Sequence, residues 1–143
     1  MEKMPQVKKE NDQLLPAQPI LAAASVYRSP FAQLKLAAIA ISLNIRLRSA
    51  DMPANMQERA FRYTKSLVDA APNSRPNPTH IARALKKEFD SSYGLAWHCV
   101  VGTSFGSFVT HSPGGFVYFS HGSLSILLFK TEVRPVMEMA PPH

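Results

Sequence analysis

"WHCVVGTSFGSFVTHSPGGFVYFSHGSLSILLFK", residues 97–130, decides the fold. From Ala96 to Phe129 there is no Asp, Glu, Lys or Arg. Four strands are predicted there: "WHCVVG", "FGSFVTH", "FVYFSH" and "LSILLFK", with Gly102–Gly106, "SPGG" and "HGS" as the connections. Pro113 and Gly114 suit the two central positions of a turn. The second strand lies within "SFGSFVTH", residues 104–111, and it carries no lysine, proline or acid. Edge strands ordinarily use such residues to block unwanted pairing. A bare ribbon of this kind is expected to be covered by something.

Upstream, "ISLNIRLR" (41–48) alternates, with Ile41, Leu43, Ile45 and Leu47 on one face and Ser42, Asn44, Arg46 and Arg48 on the other. This pattern predicts a strand with one wet face. Pro53 then fits the first turn of a helix, where a missing N–H is harmless. Met56, Ala60, Tyr63 and Leu67 mark a stripe along that helix, and Pro72 ends it. "NSRPNP" (73–78) is a stiff loop. A second helix starts near Asn77 and Pro78, buries Ile81, Leu85 and Phe89, and stops at Gly94. Strand, helix, helix and four strands make an α+β domain with an antiparallel sheet, expected over residues 41–132. Residues 1–40 and 133–143 read as disordered tails rich in proline, with at most a helical turn or two over 31–40.

Composition narrows the function. The formal charge of +6 raises nucleic acid as a partner, but the cations are spread along the chain and no block of like charge occurs. The aromatics Phe108, Phe116, Tyr118 and Phe119 could stack bases, yet the sheet segment lacks the Arg and Lys that usually accompany such stacking. A basic single-stranded nucleic-acid binder is therefore the second reading. The apolar stretch 19–43 is broken by Arg28, Pro30, Gln33 and Lys35, which argues against a membrane span. Cys99 is the sole cysteine, so no disulfide framework exists, in keeping with a reducing compartment such as cytosol or nucleus. His98, His111 and His121 have no metal-ligand spacing, and Cys99 has no orienting acid near it in sequence. Ser107 and His111, four apart on a strand, would lie about 13 Å apart and form no catalytic pair. No cofactor, metal or catalytic residue is expected.

Two helices can cover only one face of the sheet. The other face would expose an apolar patch beyond the few hundred Å² typical of monomers. Self-association, two sheets packed face to face, is the economical solution.

"KKEFDSSYGLAWHCVVGTSFGSFVTH" (86–111), "FVYF" (116–119) and "ILLFK" (126–130) resemble the smallest dimeric dynein light chains, over about Ile45 to Lys130. The resemblance implies a strand-swapped homodimer of two antiparallel sheets flanked by helix pairs, with the strand at 105–111 crossing to the other subunit. It implies that this strand's free edge takes up a short client peptide, often with a Thr-Gln-Thr-like core, as an added antiparallel strand. By position, the peptide lies along Phe105, Gly106, Ser107, Phe108, Val109, Thr110 and His111. Phe116, Tyr118, Ser125 and Leu127 join Phe105 in lining its pockets, and Thr79 lies near the peptide's glutamine. Trp97, His98, Phe105, Ser107 and Val109 fall at the dimer interface. The implied role is a non-catalytic adaptor of the microtubule motor dynein, or a general dimerisation hub, in the cytoplasm. Its implied partners are the dynein intermediate chain and other disordered clients. This chain departs from the family at Pro78 and Thr79, at the extra "PNSRP", and at Thr103, Ser120 and His121. Those changes neutralise and widen one end of the groove.

Overall fold

The computed structural model describes residues 29–134 and 136. The chain begins with helix α1, Pro30–Ser42. Ser29 caps it, its Oγ accepting from the Ala32 N–H at 3.1 Å, and Pro30 takes the first helical position. Asn44 at φ 59° stops it, in the left-handed region asparagine tolerates. Strand β1, Ile45–Asp51, and helix α2, Ala54–Asp69, follow. A 3-10 turn at Pro72–Ser74 leads to helix α3, Pro78–Tyr93. Three strands complete the domain: β2, Trp97–Gly102; β3, Phe116–His121; and β4, Leu124–Lys130.

All pairings are antiparallel and the sheet order is β1-β3-β4-β2. Thus β1 and β2 are the edges. Side chains paired across an antiparallel sheet share a face. Cys99 stands in a row with Leu128 and Val117, and Val101 with Ile126 and Phe119; Trp97, opposite Lys130, shares this face, which lies under α2 and α3. Phe61 of α2 meets Phe119 edge-on at 5.0 Å, and Phe89 of α3 meets Trp97 at 4.9 Å. Ile81, Leu85 and Phe89 are fully buried, four residues apart on one stripe of α3.

A polar clasp ties α3 to β2. Asp90 accepts from the Trp97 N–H at 2.8 Å and from Lys86 Nζ at 2.7 Å, and Lys86 also donates to the Trp97 carbonyl at 2.8 Å. Arg59 of α2 and Glu88 of α3 form an exposed ion pair.

The fold is the expected α+β arrangement with an antiparallel sheet, and β2, β3 and β4 occupy the predicted residues. Four details differ. First, the expected turn or two over 31–40 is a 13-residue helix whose Leu36 and Ala40 join the core, so the folded part reaches in front of residue 41. Second, β1 starts at Ile45, not at residue 41, because α1 runs on through Ser42. Third, the buried face of α2 is Gln57, Ala60, Phe61 and Thr64, while Met56, Tyr63 and Leu67 are only partly covered. Fourth, residues 105–111 form no strand within one chain. The tails expected over 1–28 and 137–143 lie outside the described residues.

Candidate functional site

The face of the sheet turned away from α2 and α3 is built in three rows. His98, Phe129, Phe116 and Asp51 form one; Val100, Leu127, Tyr118 and Ser49 the next; Gly102, Ser125, Ser120 and Arg46 the third. The face is neutral through its centre and charged only along β1. His98 is exposed and stacks on Phe129 at 5.1 Å, with its Nε2 2.9 Å from Thr131 Oγ1. Val100 is 43 % exposed. A bulge between Leu47 and Ser49 lets Arg48 place its guanidinium over the Tyr118 ring at 5.8 Å.

The segment from Thr103 to His111 runs back from the end of β2 across this face. Its two ends are held. The Phe105 ring lies 6.1 Å from Tyr118, and His111 stacks on Phe116 at 4.7 Å. Just beyond, the Ser112 N–H donates to the Lys130 carbonyl at 2.7 Å, and the Gly114 N–H donates to Asp51 Oδ2 at 3.1 Å. Gly115 must be glycine, because a Cβ there would sit 2.8 Å from Lys130 Cβ. The His111 Nδ1 faces the Ser112 carbonyl at 2.9 Å, and a carbonyl only accepts, so Nδ1 carries the proton.

Between these anchors the backbone is bare. Among the described residues, no backbone hydrogen bond joins residues 103–111 to the rest of the chain. Phe108 is fully exposed, and Gly106, Ser107 and Thr110 are exposed too, with Val109 half-buried. A Cβ on Gly106 would meet nothing within 4 Å. Within this chain, therefore, nothing packs closely against Gly106. Among the described residues, the outer edge of β2 is also without a neighbouring strand.

The predicted site residues divide into three groups. Phe105, His111, Phe116, Tyr118, Ser125 and Leu127 do converge on the outer face, together with the exposed ribbon 106–110. Thr79 stands apart, at the start of α3 in a hollow with Leu67, Arg75, His80 and Arg83. Its N–H and that of His80 are both taken by Asn77 Oδ1, at 2.9 and 3.2 Å. The sequence marks Asn77 only as a helix start; its side chain caps α3 and already satisfies the Thr79 and His80 N–H donors. Trp97, expected at the dimer interface, is 1 % exposed and points into the helical core. It is His98, on the opposite face, that stands on the outer surface.

Chemistry at the site is muted. Burial pushes the Cys99 thiol up to about 12, so it stays protonated and unreactive at neutral pH. Burial and the nearby Lys65 lower the His121 pKa below its usual value, partly opposed by Asp69, and its buried Nε2 has no partner. Among the described residues, no group of three or more His, Cys, Asp or Glu is placed to hold a metal, and no helix is long and apolar enough to cross a membrane.

A sequence profile of the dynein light chain type 1 family matches residues 44–131. The chain belongs to the dynein light chain family. It is 45 % identical over 85 residues to the cytoplasmic dynein light chain 1 of Candida glabrata, covering 59 % of this chain and 94 % of the relative. It is 42 % identical over 90 residues to the cytoplasmic dynein light chain of Emericella nidulans, covering 63 % and 92 %. Among solved structures, the dynein light chain-like domain of the Fasciola hepatica calcium binding protein FhCaBP2 superposes with a TM-score of 0.57 at 27 % identity, covering 63 % of this chain and 94 % of that one. Helix α1 and the segment before it lie outside the profile match.

Proposed function

We propose that this dynein light chain is a non-catalytic dimeric adaptor that captures short extended peptides by strand addition. In the dimer, residues 105–111 of one chain pair with the free edge of β2 in its partner. The other edge of the same ribbon then receives the client as an antiparallel strand, with affinity from main-chain bonds and selectivity from alternate side-chain pockets. The outer faces of the two sheets are buried against one another.

One observation carries this reading: the same chain holds a neutral ribbon without backbone partners and, at β2, an unpaired sheet edge. Unpaired backbone groups are costly when buried and hazardous when exposed, so a ribbon and an edge that fit one another are best explained as halves of one joint. By family membership, the dynein intermediate chain and other disordered clients bearing Thr-Gln-Thr-like cores are the partners to test, in the cytoplasm and on the cytoskeleton. Because Asn77 already caps the Thr79 and His80 N–H groups and Pro78 has none to offer, the central glutamine adds less here, and peptides with other residues at that place compete well.

The test is sedimentation of the full chain joined to a titration with a Thr-Gln-Thr peptide. A mass of twice 15.8 kDa and one peptide per chain, bound with little dependence on salt, is the expected result. A monomer at tens of micromolar that ignores the peptide overturns the proposal. Salt-sensitive uptake of single-stranded oligonucleotide in place of peptide favours the nucleic-acid reading.

A further inference from the structure

A groove of about 880 Å³ runs between α1 and β1, at the sheet edge opposite β2. Ala37, Ala40 and Ile41 of α1 line one side, Ile45 and Leu47 of β1 the other, and Gln57 of α2 lies between. Three features show that the groove is unfinished. Gln57 is 6 % exposed and its Nε2 donates to the Met52 carbonyl at 2.7 Å, but its buried Oε1 has no donor. Such an orphaned acceptor is costly. Leu47 stands in register with Phe119 on the helix-side face, yet is 41 % exposed, and Ile41 across the groove is 79 % exposed. Finally, β1 is the other edge of the sheet, and although Arg46, Arg48 and Asp51 put charge on it, its outer backbone groups have no neighbouring strand among the described residues.

The occupant is indicated by how the chain enters. α1 runs to Ser42, turns at Leu43 and Asn44, and β1 returns alongside it, so the groove follows both elements. The chain therefore reaches Ser29 near the Asp51 end of β1. A strand placed before α1 and beside β1 would run parallel to β1, with α1 as the crossover. Parallel neighbours need a connection of about a dozen residues or more, and residues 28–44 supply one. Immediately upstream stands "PILAAASVY", residues 19–27, without a charge. Its alternate residues Ile20, Ala22, Ala24 and Val26 are apolar, as are Ala37, Ala40, Ile45 and Leu47 of the groove.

We propose that residues 19–27 of the same chain fill the groove between α1 and β1 as a fifth strand, covering Leu47 and Ile41 and supplying the missing donor to Gln57. The segment then protects the β1 edge from pairing with other chains, while the β2 edge is left for the partner and the client. This does not rest on the adaptor reading, since the groove lies at the opposite edge of the sheet.

Hydrogen exchange of the full-length chain, followed by mass spectrometry at two protein concentrations a hundredfold apart, tests it. Amides of residues 19–27 and of β1 should exchange at least ~10-fold slower than free peptide, equally at both concentrations. The double substitution Ala22→Asp, Ala24→Asp should abolish that protection in 19–27 and weaken it in β1, with α3 and β4 unchanged as the control for folding. Exchange of 19–27 at the free-peptide rate in the unsubstituted chain overturns the proposal. Protection lost on dilution overturns it in favour of a second copy as occupant. Protection that survives the two aspartates overturns it too, because carboxylates packed against Ala37, Ala40, Ile45 and Leu47 would be desolvated.

Discussion

Two residues on the helical side of the sheet show how burial and hydrogen bonding set the character of its ionisable groups. Cys99 points from β2 toward the helical layer, and its thiol is held up to about 12, against 9.0 when free. As pH rises from about 9 toward 12, the unfolded chain gives up this proton while the folded chain keeps it. Folding stability therefore falls through that window, by at most about 1.4 kcal/mol per pH unit from this group. Urea melts of Cys99→Ala and unsubstituted chain should differ in their pH slope above pH 9 and run parallel below pH 8. A thiol reagent at pH 7.5 should modify Cys99 only once urea unfolds the chain. Asp90 is the reverse case. Burial alone would raise its pKa, but the hydrogen bonds from Lys86 and from the Trp97 N–H outweigh it, and the carboxyl lies below its ordinary value. Its contribution is present at neutral pH and is lost as pH falls through the carboxylate range. Asp90→Ala leaves the Trp97 N–H and the Lys86 ammonium without their acceptor. A loss of about 1–3 kcal/mol in a urea melt at pH 7 is expected. An unchanged midpoint would mean that water replaces the carboxylate and the clasp is ornamental.

Among the elements, the ribbon at 103–111 has the sharpest consequence, because one substitution separates its fold within the chain from its use between chains. Gly106 has room for a side chain in one chain, since a Cβ would meet nothing within 4 Å. Gly106→Val should therefore leave circular dichroism and the melting temperature of the domain unchanged. In the proposed joint, a β-branched side chain stands where two backbones approach, and peptide affinity should fall by a factor of about ten or more, or ~1.4 kcal/mol. Equal affinity for both forms would place the peptide elsewhere. The same ribbon marks what could be read from residues alone. β2, β3 and β4 were legible because alternation and the "SPGG" and "HGS" turns bound them on both sides. The ribbon has the same pattern, but a strand needs a neighbour, and one chain does not provide it. α1 was illegible for the opposite reason. "PFAQLKLAAIAIS" is apolar around much of its circumference, with Phe31, Leu34 and Ile41 exposed, so no single stripe announces a helix. In α2 the buried positions include Gln57 and Thr64, and polar residues at buried places rotate the apparent stripe by one residue. The convergence of Phe105, His111, Phe116 and Tyr118 was legible through family resemblance. The cap at Asn77 was not, although an asparagine directly before a helical proline is its usual signal.

For the whole molecule, the decisive quantity is what the outer face does with its apolar side chains. The helices bury most of one side of the sheet, whereas on the other side His98 and Val100 remain open, with Leu127 at 1 % and Ser120 at 7 % exposure sealed. Within one chain the helix-side core is therefore largely covered, and the outer face is not. This predicts a substitution that blocks pairing without unfolding. Val100 stands in the middle row beside Leu127, and at 43 % exposure an aspartate there is solvated in one chain. Across a two-fold contact the same aspartate would lie in an apolar layer near its own copy, where a buried, unpaired charge costs several kcal/mol. Val100→Asp should thus sediment at 15.8 kDa with the near-ultraviolet signal of Trp97 intact, because that ring lies on the other side of the sheet. Clients carrying two recognition segments should lose far more than those carrying one. Linked sites multiply apparent affinity by about 10²–10⁴ when both can engage, and a monomer offers only one. A Val100→Asp chain that still sediments at twice this mass would show that the open face is not where the copies meet. The covering of His98, Val100 and Phe129 would then have to be sought in the chain itself.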